Sequence, residues 1–266
     1  MTMPLVKVNG VNLYYEIHGE GEPVIFGNGI FSNTLGWVNQ LPVFSKYYQV
    51  ILYDLRGQGQ SDKPEGPYSF EMHADDQKAL LDELGIDEVH HVGISYGGEP
   101  GLVFALKYPD MIRSLVACSS VSFVGPLLYN MCQLWRSACV LEDPEIFYYA
   151  TVPLNFGETF IRENTAILEQ AKKRYVGLDY PALVRLLDAF LMINITDQLP
   201  KIKVPTCIIA GEKDILKPAD PYSRVIHNNI PNSEMVIVRD SGHAITFDRP
   251  DEFNSIVLGF LRKKQQ

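Results

Sequence analysis

Ser95 is the residue whose sequence surroundings point most clearly to chemistry. It is the centre of Gly93-Ile94-Ser95-Tyr96-Gly97, which directly follows the apolar run at residues 89–92. A serine hydroxyl is a poor nucleophile unless a turn exposes its Oγ to a base. Glycines on both sides permit a sharp strand-to-helix turn, because a Cβ there would crowd the crossing of the two elements. The pattern predicts a nucleophilic serine in an acyl-transfer enzyme.

The elements around Ser95 must place it at the end of a strand. Residues 89–94 are a short run bounded by turn signals, and residues 96–108 have an apolar helical face that stops at Pro109. Pro100 falls early in this helix, where the amides have no intrahelical partner, so its missing N–H costs little. The five residues alone fit an ordinary glycine-rich turn equally well, and this context favours the nucleophile.

Composition restricts the class of protein. The 266 residues, 46% hydrophobic and 21% charged, suit one globular domain with an insertion better than two separate domains. A formal net charge of −9 argues against a nucleic-acid partner, because phosphate contact needs a basic face. We find no signal-peptide pattern and no apolar run long enough to span a membrane, so we expect a cytoplasmic protein.

The four cysteines do not have the spacing of a metal site. Cys118 and Cys207 lie in strand-like apolar runs and are expected in the core. Cys132 and Cys139 are expected as reduced thiols, with a disulfide between them as the open alternative. We expect no metal and no cofactor.

Short apolar runs alternate with helical patterns in two parts of the chain. The first part begins with a hairpin around Asn9-Gly10, and the strand at residues 23–26 ends in Gly27-Asn28-Gly29. Further patterns predict a helix at residues 36–45, strands at 48–53, 112–118, 204–210 and 234–238, and helices at 70–84 and 253–264. The alternation stops between residues 122 and 198. It predicts an α/β fold with a doubly wound, mostly parallel sheet.

Five motifs, which follow one another along the chain as in the α/β-hydrolase family, resemble that family over nearly the whole chain. They are the Ser95 turn, Gly27-Asn28-Gly29-Ile30-Phe31 after a strand, Asp54-Leu55-Arg56-Gly57-Gln58-Gly59-Gln60-Ser61, Gly211-Glu212-Lys213-Asp214 after a strand, and Ser241-Gly242-His243. The resemblance implies a hydrolase core at residues 1–121 and 200–266. It also implies a helical lid at residues 122–199.

The resemblance implies a catalytic triad of Ser95, Asp214 and His243 in the chain order of this fold. His243 would take the Ser95 proton, and Asp214 would hold the imidazole. His90 and His91 are expected ahead of the strand that carries Ser95, in structural or solvated positions. Glu212, Asp220 and Asp240 are the alternatives to Asp214.

The same resemblance implies an oxyanion hole made by the backbone N–H groups of Ile30 and Tyr96, with Phe31 as the alternative to Ile30. Asn28 and Gln58 stand where the family usually has histidine. Asn28 can still hold the turn by hydrogen bonds, although the change departs from the best-known subfamilies. A serine rather than an aspartate nucleophile argues against haloalkane dehalogenases and epoxide hydrolases.

Aromatic and aliphatic residues of the predicted lid supply the candidate substrate pocket. Most of them are expected to pack the lid, and the remainder to line an apolar cavity. The pocket candidates are Phe31, Phe123, Leu127, Leu128, Trp135, Phe147 and Met192. Arg136 and Arg162 are the basic residues noted in this segment, and we identify no clamp for a carboxylate or phosphate.

These residues predict a serine hydrolase of carboxylic esters, of carboxylesterase or lactonase type, that favours an uncharged, apolar acyl group. The expected partner is a small ester or thioester substrate, and a homo-oligomer is compatible with the sequence. The alternatives are an acyltransferase that uses the same acyl-enzyme, a C–C bond hydrolase, and a non-catalytic ligand receptor.

Overall fold

An eight-stranded sheet forms the core of the computed structural model, which describes residues 4–263 apart from the side chain of Arg174. The strands are β1 (Leu5–Val8), β2 (Val11–His18), β3 (Pro23–Gly27), β4 (Gln49–Tyr53), β5 (Val89–Ile94), β6 (Ile112–Cys118), β7 (Thr206–Gly211) and β8 (Ser233–Val238). Their order is β1-β2-β4-β3-β5-β6-β7-β8. Residues 1–3 and 264–266 lie outside the described residues. They belong to the ends of the predicted hydrolase core and include residue 264 of the predicted last helix.

Strand pairing confirms the predicted mostly parallel sheet. β1 and β2 form an antiparallel hairpin through Asn9 and Gly10, whose φ angles of 46° and 80° suit the tight turn that Asn-Gly favours. β2 is antiparallel to β4, and the pairs from β4 through β3, β5, β6 and β7 to β8 are parallel. The carboxyl ends of the parallel strands therefore meet at one edge of the sheet.

Helices cover both faces of this sheet. They are α1 (Leu41–Phe44), α2 (Phe70–Glu83), α3 (Gly98–Lys107), α4 (Pro126–Leu141), α5 (Pro144–Asn155), α6 (Glu158–Glu163), α7 (Thr165–Ala171), α8 (Tyr180–Leu191), α9 (Arg224–Asn229), α10 (Ile245–Asp248) and α11 (Pro250–Lys263). In the described part of the chain, no helix has the length and apolar character needed to cross a membrane.

Successive residues of the central strands belong to different apolar cores. Ile25 packs in the cluster that includes residues of α2 and α3, whereas its neighbour Val24 packs in the cluster that includes residues of α1 and α11. Both side chains are fully buried. This double burial explains why β3 reads as a continuous apolar run. All four cysteines are free and buried.

The predicted helix at residues 36–45 is wrong in its length. The chain there forms a 3₁₀ turn at Thr34–Trp37 and then the short α1. Pro42 has no N–H to donate to the carbonyl of Val38, so a continuous helix would lose a hydrogen bond at that point. The sequence interpretation also missed α9 and α10.

The segment between β6 and β7 forms the helices α4 to α8, which we call the inserted helices. The two ends of the segment meet where Phe123 and Asn194 form an antiparallel bridge. Next to it, the N–H of Ile195 donates to the carbonyl of Ser122, and the Ser122 and Thr196 hydroxyls lie 2.8 Å apart. The inserted helices therefore leave and rejoin the core through two segments that are hydrogen-bonded side by side.

Candidate active site

Ser95 lies directly after β5, in a turn that only small neighbours allow. Its φ of 51° falls in the left-handed region, which non-glycine residues adopt at a cost and often at functional sites. A Cβ on Gly93 would lie 2.4 Å from the carbonyl oxygen of Gly97, and one on Gly97 would lie 2.1 Å from that of Gly27. Glycine is required at both positions because the backbones are in contact, as the sequence pattern indicated.

Asp214 and His243 follow β7 and β8 at the same edge of the sheet. The Nδ1 of His243 lies 2.8 Å from Oδ2 of Asp214, and both side chains are buried. An ionised carboxylate only accepts hydrogen bonds, so Nδ1 carries the proton and Nε2 is the ring nitrogen left to accept another. Oδ1 of Asp214 accepts from the N–H groups of Leu216 and Lys217, at 2.9 and 2.8 Å. These bonds hold the carboxylate against the imidazole.

A second carboxylate braces the loop that carries His243. Oδ2 of Asp248 accepts from the N–H of Gly242 at 2.6 Å, and the Ser119 hydroxyl donates to the carbonyl of His243 at 3.1 Å. Burial raises the pKa of the Asp248 carboxyl, and the hydrogen bond from Gly242 acts in the opposite direction. The imidazole therefore rests on a loop held from both sides of its backbone.

The alternative carboxylates lie elsewhere. Asp240 forms an exposed ion pair with Lys213, and its N–H donates to Glu212. Asp220 lies 3.7 Å from Arg224, also at the surface. Asp214 is thus the carboxylate that reaches His243. Within residues 4–263, no group of three His, Cys, Asp or Glu side chains is arranged to hold a metal ion.

The placement expected for His90 and His91 is wrong. Both residues lie inside β5 rather than ahead of it, and both are buried. Nδ1 of His90 lies 2.7 Å from the Ser114 hydroxyl, whereas neither ring nitrogen of His91 has a partner. Burial lowers the pKa of His91 to about 3. The two histidines belong to the packing of the sheet and not to the site.

The turn after β3 is held by hydrogen bonds of Asn28 and Gln58. Nδ2 of Asn28 donates to the carbonyl of Tyr53 at 2.8 Å, and Trp37 Nε1 donates to Asn28 Oδ1 at 2.7 Å. Nε2 of Gln58 donates to the carbonyl of Gly29 at 3.1 Å. In a trans peptide the N–H points away from the carbonyl, so the N–H of Ile30 faces away from Gln58. Gln58 therefore orients the peptide that was predicted to supply the oxyanion donor, and Asn28 fixes the start of the same turn.

Two cavities meet at Ser95 and Ile30. We call the first, of about 190 Å³, the wide cavity. Its lining includes His243, Phe31, Trp37, Phe147, Phe156 and Phe247. We call the second, of about 10 Å³, the narrow cavity. Its lining includes Lys217, Leu128, Cys132, Trp135, Leu187, Phe190 and Leu216. A carbonyl group placed at Ser95 would have one substituent on each side.

Four of the seven predicted pocket residues line these cavities, and three do not. Phe31 and Phe147 line the wide cavity, and Leu128 and Trp135 line the narrow one. Leu127 and Met192 are 65% and 82% exposed, and Phe123 packs against Tyr222 with ring centroids 5.4 Å apart. These three residues are removed from the predicted pocket. Apolar residues occur on several faces of the inserted helices, so composition alone did not identify the inward face.

A buried ion pair beside Ser95 was missed from the sequence. Lys217 Nζ lies 2.9 Å from Oε1 of Glu99 and 3.2 Å from Oγ of Ser95. The side chains of Lys217 and Glu99 are 3% and 0% exposed. Burial raises the pKa of the Glu99 carboxyl, and Lys217 opposes this rise. The basic residues noted in the insertion lie elsewhere, because Arg136 pairs with Asp188 and Arg162 is exposed.

The signal for this pair was present but weak. Lys217 lies three residues after Asp214, in the loop whose sequence motif predicts only the carboxylate. Glu99 lies in the first turn of α3, where a carboxylate is favoured near the helix N-terminus, so nothing local marked it as unusual. Only the packing of α3 against this loop brings the two residues together.

Comparisons with known proteins agree with this architecture. The model of the alpha/beta hydrolase fold family matches residues 22–250. A protein of Azorhizobium caulinodans named "Putative carbamate hydrolase RutD" is 30% identical over 99% of this chain and 100% of its own. An alpha/beta hydrolase enzyme from a Medee basin deep-sea metagenome library, MGS-M2, is 30% identical with a TM-score of 0.92 over 97% of each chain. The enol-lactonase from Burkholderia xenovorans LB400 is 26% identical with a TM-score of 0.90, over 97% of this chain and 100% of its own. The chain described here belongs to the alpha/beta hydrolase fold family.

Proposed function

We propose that this protein hydrolyses carboxylic esters, lactones included, through an acyl-enzyme on Ser95. The observation that carries the proposal is the hydrogen bond between Asp214 and His243 at 2.8 Å, at the strand edge where Ser95 follows β5 with a φ of 51°. A hydroxyl, an imidazole and a carboxylate in this order are the groups that acyl transfer needs. The aromatic residues in the lining of the wide cavity suit an uncharged group.

The first half of the reaction forms the acyl-enzyme. Oγ of Ser95 attacks the carbonyl carbon of the ester while its proton passes to Nε2 of His243. Asp214 accepts from Nδ1 and stabilises the imidazolium that results. The tetrahedral intermediate collapses when the bond to the leaving alcohol breaks, and the alcohol takes the proton from His243.

The negative charge of the tetrahedral intermediate needs donors that are already in place. We assign this role to the N–H groups of Ile30 and Tyr96. The hydrogen bonds that hold the Gly29 carbonyl support the assignment of Ile30, because they orient its N–H away from Gln58. Tyr96 is held in turn by its hydroxyl, which lies 3.0 Å from Nε2 of His73. Donors held this firmly need no reorganisation when the charge develops.

The second half of the reaction returns the enzyme to its resting state. Water attacks the acyl carbon and gives a proton to His243, the bond to Oγ breaks, and Ser95 regains a proton as the acid leaves. An alcohol in place of this water would give acyl transfer instead of hydrolysis. Measuring how the acyl-enzyme divides between water and added alcohols therefore distinguishes a hydrolase from an acyltransferase.

We extend the proposal to residues 122–199, which act as a lid over the site. Trp135 of α4 and Phe147 of α5 pack edge-on against Phe31, with ring centroids 5.3 and 5.0 Å apart. These contacts support a cover that joins the inserted helices to the oxyanion turn. Excluding water strengthens the electrostatic interactions inside such a site.

Carbamate hydrolysis is a second candidate, favoured by the name of the relative that spans 99% of this chain. A carbamate has a carbonyl carbon that Ser95 would attack in the same way as that of an ester. It differs in carrying a nitrogen substituent on that carbon. The two activities are distinguished by measuring matched esters and carbamates with one leaving group.

The decisive experiment compares the wild type with Ser95→Ala on p-nitrophenyl esters of graded acyl length, matched carbamates and lactones. We expect kcat/KM to fall by about 10⁴-fold or more, because the covalent step is lost. Ser137→Ala removes the same atoms from the surface of α4 and should keep wild-type rates. Intact-protein mass spectrometry should detect an acyl adduct that maps to Ser95. Equal rates for wild type and Ser95→Ala would exclude the serine mechanism.

A further inference from the structure

The ammonium of Lys217 is a buried charge beside the nucleophile that the proposed hydrolysis does not use. Its three N–H donors have three partners. Oγ of Ser95 lies at 3.2 Å, Oε1 of Glu99 at 2.9 Å, and the ring centroid of Phe190 at 4.5 Å. The resting site therefore leaves this ammonium no free donor.

Acylation would remove one of these partners. When Oγ of Ser95 bonds to the acyl carbon, its proton goes to His243 and Oγ becomes an ester oxygen. The lone pairs of that oxygen are partly delocalised into the carbonyl, so it accepts hydrogen bonds poorly. One donor of Lys217 would lose its acceptor at this step, and a buried, unpaired ammonium donor is costly. Oε2 of Glu99, a buried oxygen without a partner, is one acceptor beside this donor. An oxygen substituent on the acyl group would be a second acceptor, and only that one depends on the substrate.

The narrow cavity limits what this acceptor can be. Its volume of about 10 Å³ is on the scale of a single water-sized group, and Lys217 is the charged residue in its lining. Glu99 already balances the charge of Lys217, so a substrate carboxylate would add an uncompensated negative charge to the buried site. A neutral oxygen fits the cavity both in size and in charge.

We propose that Lys217 is a specificity-determining residue that binds a hydroxyl or keto oxygen on the second or third carbon of the acyl group. The substrates would be esters of short hydroxy or oxo acids, with this oxygen in the narrow cavity and the alcohol in the wide cavity. These carbons follow the carbonyl carbon bonded to Oγ, and Oγ is 3.2 Å from Nζ, so their oxygen substituents come within reach of the ammonium. This inference rests on the proposed function and names its substrate class.

The test compares p-nitrophenyl 3-hydroxybutanoate with p-nitrophenyl butanoate, which differ by one oxygen. Each kcat/KM is divided by the rate of hydroxide-catalysed hydrolysis, which removes the difference in intrinsic reactivity. The wild type should prefer the hydroxy ester by about tenfold to a hundredfold, as a hydrogen bond to a charged group provides. A wild-type preference of less than twofold overturns the proposal without the need for any variant.

The matched variant is the double substitution Lys217→Met with Glu99→Gln. It removes both charges together, so neither is left buried alone, and the new amide side chain keeps an oxygen for the N–H of Val121. The corrected preference should fall to about one while butanoate hydrolysis continues. A preference that survives in the folded double variant overturns the proposal, as does an equal loss of activity on both esters. In the latter case Lys217 would serve Ser95 and not the acyl group.

The two proposals fail in different ways. Hydrolysis that persists in Ser95→Ala contradicts the acyl-enzyme, whatever the ester preference. Hydrolysis that requires Ser95 but shows no hydroxy-ester preference leaves the proposed function standing and contradicts only the role of Lys217.

Discussion

The two sides of Ser95 differ in space and in charge. On the wide side, His243 is joined to Asp214, and a cavity of about 190 Å³ gives room for a large substituent. On the narrow side, Lys217 is joined to Glu99, and about 10 Å³ remains. The wide side has a ring nitrogen open to proton transfer, whereas the narrow side has a cation whose donors are all engaged. The wide side is thus suited to proton transfer and the narrow side to recognition.

A single turn supplies both sides. Oδ2 of Asp214 faces His243, and its Oδ1 accepts from the N–H groups of Leu216 and Lys217. The Lys217 side chain then continues to Ser95 and Glu99. The carboxylate that orients the imidazole therefore also fixes the backbone of Lys217. Disturbing one side should affect the other only where this turn itself is disturbed.

The largest expected effect comes from breaking the pair on the narrow side. Lys217→Met alone leaves the Glu99 carboxylate buried without a counter-charge, and we expect it to lower the free energy of unfolding by about 3–5 kcal/mol. The double variant with Glu99→Gln should recover most of this loss, because both buried charges are gone. Urea unfolding followed by circular dichroism measures both values.

Lys213→Met is the matched control for this prediction. Lys213 is four residues earlier, on the same loop, and forms an exposed ion pair with Asp240. Exposed pairs contribute about 0–1 kcal/mol, so this variant should keep nearly wild-type stability. If Lys217→Met were as mild as Lys213→Met, the charge contrast between the two sides of Ser95 would be wrong.

The parts of the fold and site that sequence predicted are those governed by local rules. The Asn9-Gly10 hairpin follows from the φ angles of two adjacent residues, and Gly93 and Gly97 are required by backbone contacts around one turn. Asp214 lies three residues after the end of β7, and strand ends are predictable from apolar runs. The hydrogen-bonded pair of Asp214 and His243 on the wide side of Ser95 lies within the reach of such local rules.

The ion pair on the narrow side escaped prediction because its two residues meet only through packing. Lys217 and Glu99 are 118 residues apart, and each is unremarkable in its own segment. The same limit applies to the inserted helices, where Leu127 is exposed and its neighbour Leu128 is buried. Which of two adjacent apolar residues faces inward depends on helix rotation, which a segment apolar on several faces does not reveal.

The next largest effect is a loss of stability in acid. It arises at His91 in β5, the strand that ends at Ser95 between the two sides. Burial lowers the pKa of His91 to about 3 from an ordinary value of 6.5. Between these values the unfolded chain binds a proton that the native chain does not, so stability falls as the pH drops from 6.5 towards 3. The slope is about 1.4 kcal/mol per pH unit, or about 2 kcal/mol between pH 6.5 and 5. Urea unfolding at several pH values measures it.

His91→Leu isolates this contribution from that of every other titrating group. Neither ring nitrogen of His91 has a partner, so leucine breaks no hydrogen bond there. The difference in stability between wild type and variant should be constant above pH 7 and should grow by about 2 kcal/mol in favour of the variant by pH 5. Parallel pH curves would show that His91 does not oppose protonation in the folded state.

The smallest effect tests the assignment of substrate halves to the two sides. Cys132→Ala and Thr151→Ser each remove one heavy atom, the first from the lining of the narrow cavity and the second from that of the wide one. Thr151→Ser keeps the hydroxyl that donates to the carbonyl of Phe147.

We expect Cys132→Ala to shift the acyl-chain preference towards one carbon longer, by up to about tenfold in kcat/KM. The alcohol preference of Cys132→Ala should stay unchanged. Thr151→Ser should shift the alcohol preference and leave the acyl-chain preference unchanged. A two-way series of acyl and alcohol lengths measures both preferences. If both variants changed the same preference, the two cavities would act as one space, and the division of the substrate at Ser95 would have to be abandoned.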